Sequence, residues 1–254
     1  MPARPYVLAE STWKSVKSTP YKVAILPWGA TEPHNYHLPY GTDIYETAAI
    51  AKRAAEIAWK KGAKVVVLPT VPFGVNTGQL DLKLTLNMNP STQFALLGDI
   101  ARAISGQGMK KLVILNGHGG NDFRQMIREL QPQVDLFICT INWWTCVAGS
   151  EYFTDPGDHA GEMETSIMLS LQPDLVRPLS EAGPGKARKF RVAGLREGWA
   201  WAPRRWSQVT DDTGTGNPAA ATTAKGDKFL AAATEKIGGF LVDLAKADTN
   251  KLYE

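Results

Sequence analysis

The sequence predicts an α/β fold: a mostly parallel central sheet with helices on both faces. Two observations carry that expectation. Short, continuous apolar runs recur along the chain, and helical patterns fill the intervals between them. Continuous runs suit strands buried on both faces, whereas alternating ones suit a half-exposed sheet. Strands that alternate with helices suit a parallel arrangement with crossover connections. The 254 residues, 44% of them hydrophobic, are enough for one large domain over residues 1–254, since chains of about 250–300 residues bury about 70–75% of their unfolded surface. No Ser/Gly/Pro-rich linker divides them.

The runs, in order, are "KVAILP" (22–27), "KVVVLP" (64–69), "KLVILN" (111–116) and "DLFICTI" (135–141). Between the first two, "DIYETAAIAKRAAEIAWKKG" predicts a helix that starts after a Thr/Asp cap and stops at Gly62. "NPSTQFALLGDIARAISGQG" opens on Asn-Pro-Ser and ends in glycines, and "NDFRQMIRELQPQ" is halted near Pro132. "GEMETSIMLSL" and the long 220–247 segment supply the last helices. In such sheets ligands bind beyond the carboxyl ends of the strands. The loops after 22–27 and 111–115 are therefore expected to converge on one edge.

Composition excludes several classes. The net charge of +3 is modest and its basic residues are scattered, with local clusters only at 186–191 and 203–206. That pattern gives no footprint for nucleic acid, although such clusters can steer an anionic substrate. The two cysteines, Cys139 and Cys146, support no disulfide framework. The N-terminus has no apolar leader and no run is long enough to span a membrane, so the expected location is cytoplasmic.

The chemistry concentrates in three polar blocks that hold all four histidines. The first, "GATEPHNYHLPYGTD" (29–43), contains Glu32, His34, His37 and Asp43. Glu32 and His34 are two apart and share one side of an extended segment. Asp43 stands at a helix start, where it either caps or binds metal. The second, "NGHGGN" (116–121), sets His118 among glycines that let the backbone bend beside an ion. Its other reading is an anion cradle at a helix N-terminus, although it lacks the spacing of a dinucleotide fingerprint. The third, "DHAGEMETS" (158–166), puts His159 at a flexible helix entry and sets Glu162 and Glu164 two apart, so that only one of them faces the site. Imidazole with carboxylate oxygen suits Zn²⁺, Mn²⁺ or Fe²⁺.

Together the three blocks resemble the creatininase (creatinine amidohydrolase) family. "LPWGATEPHNYHLPYGTD", "LNGHGGN" and "HAGEMETSIML" match its hallmark segments in order, and "GTGNPAAATTAKG" (214–226) looks like a late family segment. The resemblance implies a three-layer α/β/α fold, a homohexamer, and hydrolysis of non-peptide C–N bonds in cyclic amides and formamides with one or two divalent metals, Zn or Mn with Fe as a further option. It assigns Glu32, Asp43 and His118 to one metal, His34 and a bridging Asp43 to the second, and proton transfer to His159. His37, Asn116, Gly119, Trp143, Trp144 and Asp158 become residues that orient ligands or touch substrate. In creatininase itself the second block reads His-Tyr-Glu and its Glu binds the second metal. Gly119 and Gly120 stand there in this chain, the usual Gly after the first histidine is Asn35, and the 73–90 segment lacks the family's common His and Pro-Gly-Thr. Creatinine is therefore a poor candidate substrate, and Glu162 is expected to supply the missing carboxylate.

The expected reaction is attack of metal-activated water on an amide carbonyl, with His159 protonating the leaving nitrogen, a role that histidine suits. Trp143 and Trp144 follow the fourth run, where they are placed to stack on a planar substrate or, for one of them, to pack in the core. The aromatic and Arg-rich "REGWAWAPRRW" (196–206) is expected either to close over the site or to serve subunit contacts, and Trp199, Trp201 and Trp206 suit an interface because aromatics are enriched there. The competing readings are a non-catalytic protein binding an anion or metabolite through NGHGG, a lactonase of the same family, and a sugar isomerase or lyase.

Overall fold

The computed structural model describes residues 3–253. Its sheet has four strands, all parallel, in the order β2-β1-β3-β4: β1 (Val23–Trp28), β2 (Val65–Val67), β3 (Lys111–Asn116) and β4 (Phe137–Asn142). The two inner strands, β1 and β3, are buried at every residue. Alternate side chains feed opposite layers, as the pleat requires. Val23, Ile25, Val113 and Leu115 face one core, while Ala24, Leu26, Leu112 and Ile114 face the other. This two-sided burial explains why the strands read as unbroken apolar runs.

The helices are α1 (Trp13–Ser18), α2 (Thr42–Lys60), α3 (Pro90–Gly106), α4 (Arg124–Leu130), α5 (Glu162–Leu171), α6 (Ala193–Glu197), α7 (Trp206–Val209) and α8 (Thr223–Lys246). α2, α5 and α8 pack on the first face through Ile50, Ala54, Ile167, Phe229 and Leu241. α3 and α4 cover the second through Leu97, Ala101, Met126 and Leu130. The result is the expected three-layer α/β/α arrangement. α2 ends at Lys60 with Lys61 as its C-cap, and Gly62 takes the left-handed φ of +87° that helix termination favours. The otherwise buried Lys111 donates its ammonium to the carbonyls of Leu244 and Ala247 at 2.7 and 2.6 Å, closing the C-terminal end of α8 with a cation. No helix among the described residues is long and apolar enough to cross a membrane. Both cysteines are free, and burial pushes the Cys139 thiol up to about 12.

Trp28 and Asn116 are register partners at the ends of β1 and β3. The 29–43 and 116–121 loops therefore leave the same edge side by side.

Candidate metal centre

Three histidines converge at this edge, and each has one ring nitrogen tied to a backbone carbonyl. His34 Nδ1 lies 3.0 Å from Glu32 O, His118 Nε2 lies 3.1 Å from Val75 O, and His159 Nε2 lies 2.9 Å from Pro33 O. A carbonyl only accepts, so the ring proton belongs on these nitrogens and the lone pair on the other. Those lone pairs face carboxylates. His34 Nε2 is 2.9 Å from Asp43 Oδ1, and His118 Nδ1 is 2.7 Å from Glu32 Oε1 and 3.1 Å from Asp43 Oδ2. His159 Nδ1 stands 4.0 Å from Glu32 Oε1. Close as His118 lies, Glu32 Oε1 and Asp43 Oδ2 have no hydrogen-bond donor among the described residues. All these residues are buried.

Buried lone pairs that face one another without a donor are costly unless a cation sits among them. The donor atoms of Glu32, Asp43 and His118 lie within 4.8 Å of one another, as do those of His34, Asp43 and Glu164, and those of Glu32, His34 and His159. Imidazole nitrogen plus carboxylate oxygen, with Asp43 common to the first two sets, fits one or two Zn- or Mn-type ions. Without an ion, protons take that place. Burial disfavours a charged His34 ring, but the Asp43 carboxylate outweighs it and raises His34 to about 9. His118 is likewise raised, against burial, by Glu32 and Asp43. Against burial that would raise them, Glu32 and Asp43 are held below the usual carboxylate range, Glu32 chiefly by His118 and Asp43 chiefly by His34. Asp43 makes no capping bond to α2, so its position at the helix start serves the cluster.

An amide network holds the glycine-rich loop. Asn116 Oδ1 accepts from the His118 and Asn121 side of the loop, through His118 N (3.1 Å) and Asn121 Nδ2 (3.0 Å). Asn116 Nδ2 donates to His118 O and to Asn142 Oδ1, both at 3.0 Å. Asn121 Oδ1 receives Val75 N and Gln93 Nε2. A Cβ on Gly120 would run into Val75 O and His118 Nε2, so no carboxylate side chain fits there; a Cβ on Gly119 would meet nothing within 4 Å. Asn35 adopts φ +55°, a left-handed conformation that Asn tolerates, and its Oδ1 takes Tyr36 N and Gly183 N.

The third block departs from expectation twice. Glu162 is not at the cluster: its carboxylate pairs with Lys225 and accepts Thr154 N and Asp155 N at 2.9 and 3.0 Å. Glu164 is the carboxylate near His34 and Asp43, with Oε2 held by Ala160 N. One residue pair on α5 was bound to split this way, and the helix's rotation against α2 and α8 decides which member faces inward. Second, the entry to α5 is pinned instead of flexible. Ala160 is buried at φ +51°, and Gly157, Gly161 and Gly216 pack Cα to Cα with no room for side chains. Strain of this kind concentrates at functional sites. It brings His159 against His34, ring centroids 4.2 Å apart, so the third block joins the metal loops.

His37 lies behind the cluster, its Nε2 2.8 Å from Thr165 Oγ1, and burial with the nearby His34 pushes it down to about 4. A cavity of about 780 Å³ opens over Glu32, Asp43, His118, His159 and Glu164. Gly119, Trp143, Trp144 and Asp158 line it. Trp143 is 1% exposed and belongs mainly to the core, whereas Trp144 is half-buried and packs edge-on against it. Asp158 pairs at the mouth with Arg204, whose guanidinium lies 4.4 Å over the Trp206 ring. Trp206 is buried and stands edge-on to His159 at 5.2 Å, unlike Trp199 and Trp201, which are 78% and 85% exposed. Trp206 thus follows the reading in which this segment closes over the site, and forms one of its walls.

Sequence reasoning left three residues unassigned. Gln79 donates its side-chain amide to Glu32 Oε2, and nothing in its local sequence signals this. Arg204 belongs to the basic, aromatic 196–206 stretch, read as a whole without singling out this residue. Glu46 lies one turn beyond Asp43 on α2, fully buried with neither oxygen partnered among the described residues, and burial, with Glu164 and Asp43 adding to it, raises it well above the usual carboxylate range. The i, i+3 spacing from Asp43 was its legible signal.

The sequence profile of the creatininase family, described as creatinine amidohydrolase, matches residues 9–241. A creatinine amidohydrolase of Pseudomonas putida is 28% identical over 200 residues, covering 66% of this chain and 73% of its own. A mycofactocin precursor peptide peptidase of Mycolicibacterium smegmatis is 28% identical over 243 residues, covering 90% and 87%. A 2-amino-5-formylamino-6-ribosylaminopyrimidin-4(3H)-one 5'-monophosphate deformylase of Methanothermobacter marburgensis is 29% identical over 191 residues, covering 70% and 71%. Among solved structures, a Bacteroides fragilis protein provisionally named a creatinine amidohydrolase superposes with a TM-score of 0.92 at 45% identity, over 98% of this chain and 99% of its own. A Zn–Zn form of creatininase shares the fold with a TM-score of 0.81 at 22% identity, over 96% and 100%.

Proposed function

The chain belongs to the creatininase family, and we propose that it is a metal-dependent hydrolase of a C–N amide bond in a small molecule. The observation that carries this reading is the set of three carbonyl-fixed imidazoles converging on the buried carboxylates Glu32 and Asp43, where Glu32 Oε1 and Asp43 Oδ2 face the free nitrogens of His118 and His159 with no donor among the described residues. In the proposal, Glu32, Asp43 and His118 hold one divalent ion, and His34, Asp43 and Glu164 hold a second. Glu164 thus supplies the carboxylate that Gly120 has no room for. Zn and Mn are the expected metals, matching the Zn–Zn and Mn forms in which creatininase structures are known. Bound there, such an ion supplies Lewis acidity and lowers the pKa of water from about 16 towards about 7.

The chain's own groups do the rest. Asp43 and Glu32 orient the ions and bring two negative charges against them. His159, with Nε2–H fixed on Pro33 O, presents a basic Nδ1 to the cavity and carries a proton to the leaving nitrogen. Trp144 and Trp206 form aromatic walls that exclude water and favour a planar substrate. Gly119, free of neighbours, leaves the floor open, and the cavity is much larger than a five-membered lactam needs. That favours larger amides or formamides over creatinine; the related deformylase and peptide peptidase act on substrates of that larger kind, as their names state. The anion-cradle reading of NGHGG has less support, because the His118 N–H of the loop is already given to Asn116 Oδ1 and the His118 ring faces Glu32 and Asp43. A lactone remains the natural variant substrate, since its carbonyl takes the same attack.

By family resemblance the assembly is a homohexamer, with the exposed Trp199 and Trp201 at subunit contacts; light scattering that reports a monomer would count against it. The experiment that tests the function is a screen of formamides, cyclic amides, peptides and lactones with Zn²⁺- and Mn²⁺-loaded protein, product mass being the readout. Hydrolysis adds one water; isomerisation or elimination does not. Metal content well below one ion per chain after reconstitution would sink the reading.

A further inference from the structure

We infer that Gln79 is a positioning residue for Glu32: it occupies one carboxylate oxygen so that the other alone faces the metal site. This rests on the metal-centre reading above. Glu32 is fully buried, and a free carboxylate can turn either or both oxygens to an ion. Here Oε1 points to His118 Nδ1 at 2.7 Å and has no donor, while Oε2 accepts the side-chain amide of Gln79. The amide must present its nitrogen, since its carbonyl would repel the carboxylate. Among the described residues Gln79 Oε1 has no partner, so the bond to Glu32 is the only hydrogen bond found there for this side chain.

The turn that carries Gln79 is itself well anchored. Gln79 N donates to Asn76 O at 2.9 Å, Asn76 N donates to Asn87 Oδ1 at 2.8 Å, and Asn76 Nδ2 donates to Leu86 O at 3.1 Å. Gly78 lies so close to the Arg204 carbonyl that a Cβ would collide with it, and Ser207 binds Asp81 just beyond. The same turn lines the cavity. Each histidine of the cluster is oriented by a backbone carbonyl, and Glu164 by a backbone N–H. Glu32 alone depends on an amide side chain, which makes its orientation open to mutation without touching any proposed ligand.

The test uses Co²⁺ as the probe on the full chain. Gln79→Met keeps the volume and removes the donor; Gln79→Leu repeats the change with a stiffer side chain. Partners of metal ligands are typically worth 10–100-fold in affinity. We expect both variants to bind Co²⁺ about 10–100-fold more weakly in competition with a chelator, and to show altered intensity in the Co²⁺ visible bands, which report coordination number. Circular dichroism checks that each is folded. A folded Gln79→Met protein with wild-type Co²⁺ affinity and an unchanged spectrum overturns the inference. So does a variant whose metal-free form melts lower while its spectrum stays the same, since that marks a purely structural role. Wild-type protein that takes up no Co²⁺, Zn²⁺ or Mn²⁺ overturns the metal reading itself, a result distinct from either.

Discussion

The floor and the far wall of the site are built by different physics. The floor, Glu32, His34, Asp43 and His118, hangs from the ends of two neighbouring strands whose register fixes where the loops emerge. The wall, His159 and Glu164, comes from a strained turn and the first turn of α5, so its aim depends on how α5 packs against α2 and α8. Floor residues are placed by strand order, which sequence patterns expose. Wall residues are placed by helix rotation, which they do not.

The sharpest break in that comparison is Asp43→Ala. Asp43 belongs to both the His118 and the Glu164 donor sets, so its loss should empty both metal positions and lower activity by more than about 10⁴-fold, beyond what general acid–base catalysis contributes. Elemental analysis decides, and a variant that keeps two ions per chain would unseat the bridge. Next comes His159→Asn on the wall. Metal content should stay near wild type while kcat drops by about 10²–10⁴-fold; a metal-depleted variant would move His159 into the ligand set with Glu32 and His34.

The paired change at α5 separates neighbours two residues apart. Glu164→Gln should weaken one ion, read by titration with a chelator, by roughly 10–100-fold, taking the cost of losing a partner of the site as a lower bound. Glu162→Gln should leave metal content intact and instead lower the melting temperature, since breaking a buried pair costs up to about 3–5 kcal/mol and Lys225 is partly exposed. Although burial opposes it, hydrogen bonds from Asp155 N and Lys225 hold Glu162 below its ordinary value. Its stabilisation is therefore present above the normal carboxylate range, about pH 4.3, and is lost as pH falls through the depressed folded value. The melting difference between wild type and Glu162→Gln should shrink on acidification in that window; a constant difference would refute the ion pair's role.

The smallest effect is on pH and metal. With His34 raised to about 9 without an ion, metal must displace its proton, so affinity should rise roughly tenfold per pH unit for each proton displaced, up to about pH 9. Calorimetry in buffers of different ionisation enthalpy counts those protons. Release of none would mean His34 is already neutral before metal arrives.

Much was determined by the sequence alone. The unbroken apolar runs of β1 and β3 required strands buried on both faces, and the parallel alternation with helices then forced residues 29–43 and 116–121 onto one edge. Glu32, His34, Asp43 and His118 were legible for that reason, and Gly120 could be recognised as a departure, though not yet as one that steric contact with Val75 demands. Tertiary structure decided the remainder. Glu162 and Glu164 are equivalent in spacing, and only the packing of α5 sends one to Lys225 and the other to His34. The bond from Gln79 to Glu32 joins residues 47 positions apart, beyond any local pattern, and Trp206 became a wall of the site because the mouth folds back on His159. Periodicity encodes which face of an element is buried; it does not encode which neighbour a buried polar side chain will meet there.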